Sequence, residues 1–213
     1  MKRNSGPHNN YHFEEKLWEE GFSRVMGLDE VGRGCLAGPV VAAGVILKPG
    51  CPITGIRDSK KLTAIHRLEL SAEIREKALF WTVQESSVAE INAINILKAS
   101  LLAMRRCTET EQASPDYLLV DGNKHIGSML PGSCIVGGDD LSASIGAASI
   151  LAKVYRDNLM AQFHEHYPHY GWNSNVGYPT RKHKEGLLTY GYCKHHRTGF
   201  RLGTKKKYEQ HQE

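Results

Sequence analysis

Three apolar runs in this chain stop on acid. "RVMGLDE" ends at Asp29 and Glu30, "DYLLVDGN" places Asp121 after its apolar centre, and "SCIVGGDD" passes through two glycines into Asp139 and Asp140. Each run is short and bounded by Gly, Asn or Asp, the punctuation of a buried strand. Acids that close neighbouring strands can be gathered at one edge of a sheet. The first run is followed, across a glycine-rich turn, by "VVAAGVIL", which makes the pair two adjacent strands in the middle of that sheet.

Helical spacing fills the intervals. Tyr11 to Glu20 is a short helix that stops at Gly21, the fold proper begins near Arg24, and Thr63 to Leu79 is a second helix ahead of the strand "LFWTVQESSV". Ile94, Leu97, Leu101 and Met104 predict a helix that buries that stripe and turns Lys98 and Arg105 outward. Ser142 to Tyr167 is the longest helix, with Ile145, Ala148, Ala152, Tyr155, Leu159 and Phe163 on one face. The loop "YPHYGWNSNVGYPT" and a helix from Thr180 to Tyr190 follow. The expected organisation is an arm and short helix over 1–22, one domain over 23–203, and a disordered polar tail over 204–213.

Hydrophobic residues at 40% and charged residues at 23% exclude a disordered chain. A net charge of +4 is too mild to name a partner, because Lys205, Lys206 and Lys207 supply much of it. Five scattered cysteines without a C-x-x-C pair speak against a disulfide framework or a zinc site and suit the cytoplasm. The polar N-terminus has no signal-peptide core, and Leu36 to Leu47 falls short of the roughly 20 residues that span a bilayer, so neither secretion nor a membrane is expected.

Clustered carboxylates repel unless a cation sits among them, and an all-oxygen set suits magnesium or manganese rather than zinc. Adjacent strand residues face opposite ways, so Asp29 and Glu30 share such a site only if the strand breaks at Gly32 and the longer Glu30 reaches round. Taken singly, each acid beside a glycine is more often an ordinary turn residue. Two magnesium ions about 4 Å apart activate water and hold a phosphodiester in line in many nucleases. Arg33, between Gly32 and Gly34, would meet a phosphate there, and the bare backbone would admit a sugar.

The segments "GLDEVGRGCLAGPVVAAGVIL", "DSKKLT", "INILKASLLAM", "LLVDGN", "GDD" before "IGAASILAKVYRD", and "GYPT" with a later "HR" resemble, in order, those of ribonuclease HII, the bacterial type 2 ribonuclease H. The resemblance runs from about Met26 to Phe200. It implies an α/β, ribonuclease H-like fold: a mixed sheet flanked by helices, with a small helical C-terminal part. It implies that Asp29, Glu30, Asp121 and Asp139 bind two Mg2+ or Mn2+ ions and are catalytic, that Gly32, Arg33 and Gly34 sense a ribonucleotide's 2'-hydroxyl, and that Tyr178 stacks on the following deoxyribose. The implied reaction cuts 5' to a ribonucleotide embedded in duplex DNA, and also RNA in RNA/DNA hybrids, leaving 5'-phosphate and 3'-hydroxyl ends. A monomer is expected.

Other residues divide between two readings. Ser59, Lys60 and Lys61 open a helix, where they either contact phosphate or form a turn with solvated lysines. Ser149 and Lys153 lie one turn apart and could face one phosphate, although Lys153 is equally a surface lysine. Without the family, Tyr178 would be read as packing. The 11 histidines are expected to be solvated or structural, with His183 near Tyr178 the one to watch.

Four positions depart from the family pattern: Arg57 for Asn, Gly137 for Lys, Val176 for Lys and Gly199 for Ser. Lost lysines should weaken nucleic-acid binding and flatten its salt dependence. The alternatives are another ribonuclease H-like nuclease, which has no need for "DEVGRG" with a "GYPT" tyrosine, and a binding protein whose metal site has decayed, which has no use for four acids. The type 3 enzyme normally carries an extra N-terminal domain, for which about twenty residues before the first strand leave no room.

Overall fold

The structure, a computed structural model, describes residues 10–56 and 59–199. Expectations for residues 1–9, for Arg57 and for the tail lie outside them. Five strands form one mixed sheet in the order β3-β2-β1-β4-β5: β1 (Val25–Val31), β2 (Val40–Ile46), β3 (Phe80–Ser86), β4 (Tyr117–Asp121) and β5 (Gly132–Ile135). The first three run antiparallel, while β4 and β5 run parallel to β1. The continuous apolar runs thus occupy the sheet's centre, where both faces are covered and alternation is unnecessary.

Among the described residues eight α-helices flank it: α1 (His12–Glu19), α2 (Ala64–Lys77), α3 (Val88–Ile94), α4 (Ile96–Thr108), α5 (Gly138–Leu141), α6 (Ala143–His166), α7 (Trp172–Asn175) and α8 (Arg181–Tyr190). On one face Val41, Ala43 and Val45 pack with Leu70, Ile74, Ala147 and Leu151 from α2 and α6. On the other, Met26, Leu28, Ala42 and Ile46 pack with Ala103, Met104 and Cys107 from α4. The closest approach is at Gly27, where a Cβ would lie 2.1 Å from the carbonyl carbon of Ser144, so only glycine lets α6 rest on β1.

Three expectations need correction. The single helix through Ile94 is two, because Asn95 adopts φ 70 and its side chain caps α4 by accepting from the Lys98 N–H. The break resets the register, so Ala99, Ser100, Ala103, Met104 and Cys107 are buried and Leu97 is exposed. In α6 the first half is enclosed nearly all round between sheet, α2 and α5. The second half then buries Met160 against Trp172 and Leu187 of the C-terminal part and Arg156 against the carbonyls of Ala37, Pro39 and Val176, and it exposes Tyr155.

The fold also begins earlier than Arg24. Leu17 joins a core with Val25, Leu119, Ile135 and Ile145. The buried Glu14 accepts from the Ser142 and Ser144 hydroxyls and from the Ser144 N–H, an anion held at the start of α6. Asn10 accepts from the Ala143 N–H and donates to the Ile56 carbonyl.

Candidate active site

β1 and β4 are parallel and in register at Leu28 and Val120, so the next residue on each strand is an acid: Asp29 and Asp121. Asp29 pairs across β2 with Ala43, on the α6 face, and Glu30 with Ala42, on the α4 face. The two side chains therefore start from opposite sides of the sheet. β1 ends at Val31 and Gly32 takes φ +94, the break that the pairing of Asp29 with Glu30 requires. Asp139 arrives on α5, which follows β5 and a left-handed Gly137.

Asp29 is buried and tied down. Its Oδ1 accepts from the Glu30 N–H at 2.7 Å, and the Ser149 side chain on α6 hydrogen-bonds it as well. Ser149 in turn meets the Ser59 hydroxyl at 2.9 Å. Both serines are buried and linked to this carboxylate. Desolvation drives the Asp29 carboxyl well above the usual carboxylate range, with Glu30, Asp121 and Asp139 adding to the rise and Ser149 opposing it. The other three acids are thus within electrostatic reach of Asp29.

Each remaining acid leans on its own donor. Glu30 meets Arg33 at 3.2 Å; burial raises its pKa and that guanidinium pulls it back. Asp121 Oδ1 accepts from the Gly138 N–H at 2.8 Å, and Asp139 stands 3.9 Å from Lys60. Lys61 pairs with Asp140. Among the described residues no three acid, histidine or cysteine side chains form a ready-made metal cage. An open set of carboxylates, two of them with raised pKa values, nevertheless fits a hard divalent cation in its donor chemistry and in its surplus of negative charge.

The Gly32–Gly34 turn lies beside this cluster, with Tyr178 facing it: a Cβ on Gly34 would be 3.6 Å from the tyrosine's Cε1. Tyr178 is exposed. Lys153, one turn along α6 from Ser149, pairs with Asp157 at 2.6 Å. Of the departures, Gly137 supplies the left-handed turn before α5, Val176 takes a left-handed φ of 42 that a β-branched side chain rarely adopts, and Gly199 is exposed.

Of the supports behind the turn, sequence reasoning singled out His183 and missed Arg156, Arg197 and His196. Arg156 and Arg197 are enclosed in the protein and donate to main-chain carbonyls of residues 33–39. His183 and His196 form a buried pair, Nε2 to Nε2 at 3.1 Å; Trp172 Nε1 donates to His183 Nε2, and His183 Nδ1 is 2.9 Å from the Tyr178 carbonyl. Their one sequence signal was position: "YRD" and "HR" are charged residues inside otherwise apolar or aromatic stretches.

The sheet order, the parallel β1–β4 step and the acids at its end define a nuclease of the ribonuclease H class. Among solved structures, the fold is similar to the ribonuclease HII of Archaeoglobus fulgidus, solved with PCNA, at TM-score 0.71 and 24% identity, over 86% of this chain and 98% of that one. It is also similar to Bst-RNase HIII in complex with Mn2+, at TM-score 0.61 and 18% identity, over 78% of this chain and 62% of that one. In sequence, the ribonuclease HII of Salinibacter ruber is 49% identical over 193 residues, covering 89% of this chain and 96% of that protein. The ribonuclease HII family model matches residues 26–205, and the chain belongs to that family of hydrolytic endonucleases.

Proposed function

We propose that this enzyme hydrolyses the phosphodiester on the 5' side of ribonucleotides embedded in duplex DNA and cuts RNA in RNA/DNA hybrids. The observation that carries the reading is the adjacency of two unlike features: the mutually repelling acids around Asp29, and a glycine turn faced by Tyr178. The first suits cation-assisted phosphodiester chemistry. The second suits a sugar read through bare backbone, since the 2'-hydroxyl is what separates RNA from DNA at a given site.

In this reading Asp29, Glu30, Asp121 and Asp139 would hold two divalent cations, Mg2+ or Mn2+. The cations would supply water activation and charge neutralisation at the phosphate. Ser149 and Ser59 keep Asp29 oriented, and the Gly138 N–H does the same for Asp121. Arg33, turned toward Glu30 here, has its own side chain exposed and can exchange that partner for a phosphate. Gly32 and Gly34 admit the ribose, Tyr178 receives the next sugar, and Lys60 with Lys153 answers the backbone charge. Asp139, on the four-residue α5 after two glycines, is the loosest ligand.

The proposal includes a monomer working in the cytoplasm; the five free cysteines are in keeping with a reducing compartment. Among the described residues no helix is long and apolar enough to cross a membrane. The test is strand cleavage of a duplex DNA with one ribonucleotide, an RNA/DNA hybrid and an all-DNA duplex, with Mg2+, Mn2+ or EDTA. Cation-dependent cutting 5' to the ribonucleotide is expected. Cutting of the hybrid alone would remove the junction reading, and no cutting of any substrate would favour the decayed-site alternative.

A further inference from the structure

We propose that Arg156 and Arg197 are positioning residues that fix the spacing between the Gly32–Gly34 turn and Tyr178, and so set selectivity for an RNA-to-DNA step. The inference rests on the junction reading above and asks what holds its two halves in register.

Arg156 projects from α6 and is fully buried; its Nε donates to the Pro39 carbonyl at 3.1 Å, Nη2 to Ala37 at 3.0 Å and Nη1 to Val176 at 2.8 Å. One guanidinium therefore joins the loop after the turn to the loop before Tyr178. Arg197, also buried, donates from Nε to Gly38 at 2.9 Å, from Nη1 to Arg33 at 3.1 Å and from Nη2 to Pro39 at 3.1 Å. It grips the turn at its central residue. Main-chain bonds run the same way: Leu36 N–H to the Gly177 carbonyl, Arg197 N–H to Leu36 and Gly38 N–H to His195.

Two glycines show how tightly the parts meet. A Cβ on Gly32 would lie 2.2 Å from Arg156 Nε, and one on Gly177 would lie 2.6 Å from the Ala37 carbonyl oxygen. A guanidinium is a planar fork of five donors in fixed directions, so it sets angles as well as distances, whereas a lysine ammonium at the same place is a point charge on a flexible stem. The carbonyls held by these arginines belong to the two readout loops. The acids have separate supports in Ser149 and the Gly138 N–H. Loosening the clamp should therefore disturb the geometry of a ribose followed by a deoxyribose more than it disturbs hydrolysis itself. A hybrid presents a ribose at every step and tolerates a small shift of register.

The experiment compares wild type with Arg156→Lys, Arg197→Lys and Gly177→Ala, the last a wedge between the loops that leaves both arginines in place. kcat and KM are measured on the single-ribonucleotide duplex and on the hybrid, cleavage positions are mapped, and thermal melting identifies the folded variants. The expected result is a loss of selectivity for the single ribonucleotide, relative to the hybrid, on the order of ten-fold or more. Equal losses on both substrates would reduce the arginines to general support and overturn the proposal, as would an unchanged ratio in a folded variant. If the lysine variants do not fold, Gly177→Ala decides by the same ratio. A wild type that shows no junction cutting removes the underlying reading first, and is seen before any variant is compared.

Discussion

The acids at the ends of β1, β4 and α5 and the arginines behind the Gly32–Gly34 turn are both charge taken out of water, and the protein treats them oppositely. Around Asp29, four acids are brought together, answered by hydrogen bonds from the Glu30 N–H, Ser149 and the Gly138 N–H, by an exposed arginine and by a lysine at 3.9 Å. Around Arg156 and Arg197, six donors meet six carbonyl contacts at 2.8 to 3.1 Å. Burial still lowers the Arg197 pKa, to about 10, but leaves it charged at neutral pH. The satisfied cluster is a frame. The cluster of like charges suits a cation, and it costs folding free energy without one.

The largest break of that contrast is at its negative pole. Asp29→Asn should cut cleavage by at least about a thousand-fold while leaving the fold intact, read as kcat/KM on either substrate. The same variant should be the more stable protein without added cation at neutral pH. A carboxyl whose folded pKa lies above its unfolded value costs stability as pH rises past the ordinary carboxylate range, and the asparagine has no such cost. Melting curves from acid to neutral pH would show wild type losing ground to the variant as pH rises.

Next in size is Gly27→Ala, which pushes a methyl to 2.1 Å from Ser144 and must lift α6, with Ser149, from β1. A loss of about 3 kcal/mol or more is expected in denaturant unfolding.

The histidine pair behind Tyr178 sharpens the comparison, because it too is buried and paired, but only while neutral. Burial and the neighbouring His183 push His196 down to about 3, and burial lowers His183. Unfolded histidines take up protons near their ordinary value of about 6.5, so this pair contributes stability above that pH and loses it progressively on acidification. Other groups face the pair: His169 and His195 add to the depression, and the Cys193 N–H donates to His196 Nδ1 at 3.0 Å. Melting temperature should fall between pH 7 and pH 5, and His196→Gln should flatten that fall. The smallest effect belongs to Val176→Lys. Restoring the family's usual cation at this left-handed position should steepen the salt dependence of substrate binding by about one phosphate contact, a log–log slope change near 0.9.

How much of this could be read beforehand follows from which interactions are local. β1, β2 and α6 are legible because an apolar run or a repeat of three and four is written into adjacent residues, and the strand-end acids stand out beside glycines. The split at Asn95 escaped because an asparagine in a helical pattern gives no sign of its φ until the core on either side selects a register. Arg156 escaped because an arginine on a helix is normally solvated; its burial depends on carbonyls at Ala37 and Pro39, more than a hundred residues away. The hydrogen bond from Ser149 to Asp29 also escaped, since spacing locates a hydroxyl on a helix face without saying which strand end it meets. Glu14 looked like one acid among several in a short helix, and only the N-terminus of α6 gives it a purpose.

The central claim is that the Asp29 cluster is an open carboxylate set completed by a divalent cation, and its most direct test is thermal stability titrated with Mg2+ and Mn2+ in wild type and Asp29→Asn. Wild type should gain stability with cation concentration, about 2.7 kcal/mol at a hundred times the dissociation constant, and the variant should lose most of that gain. No cation-dependent gain in wild type, or the same gain in the variant, would contradict it.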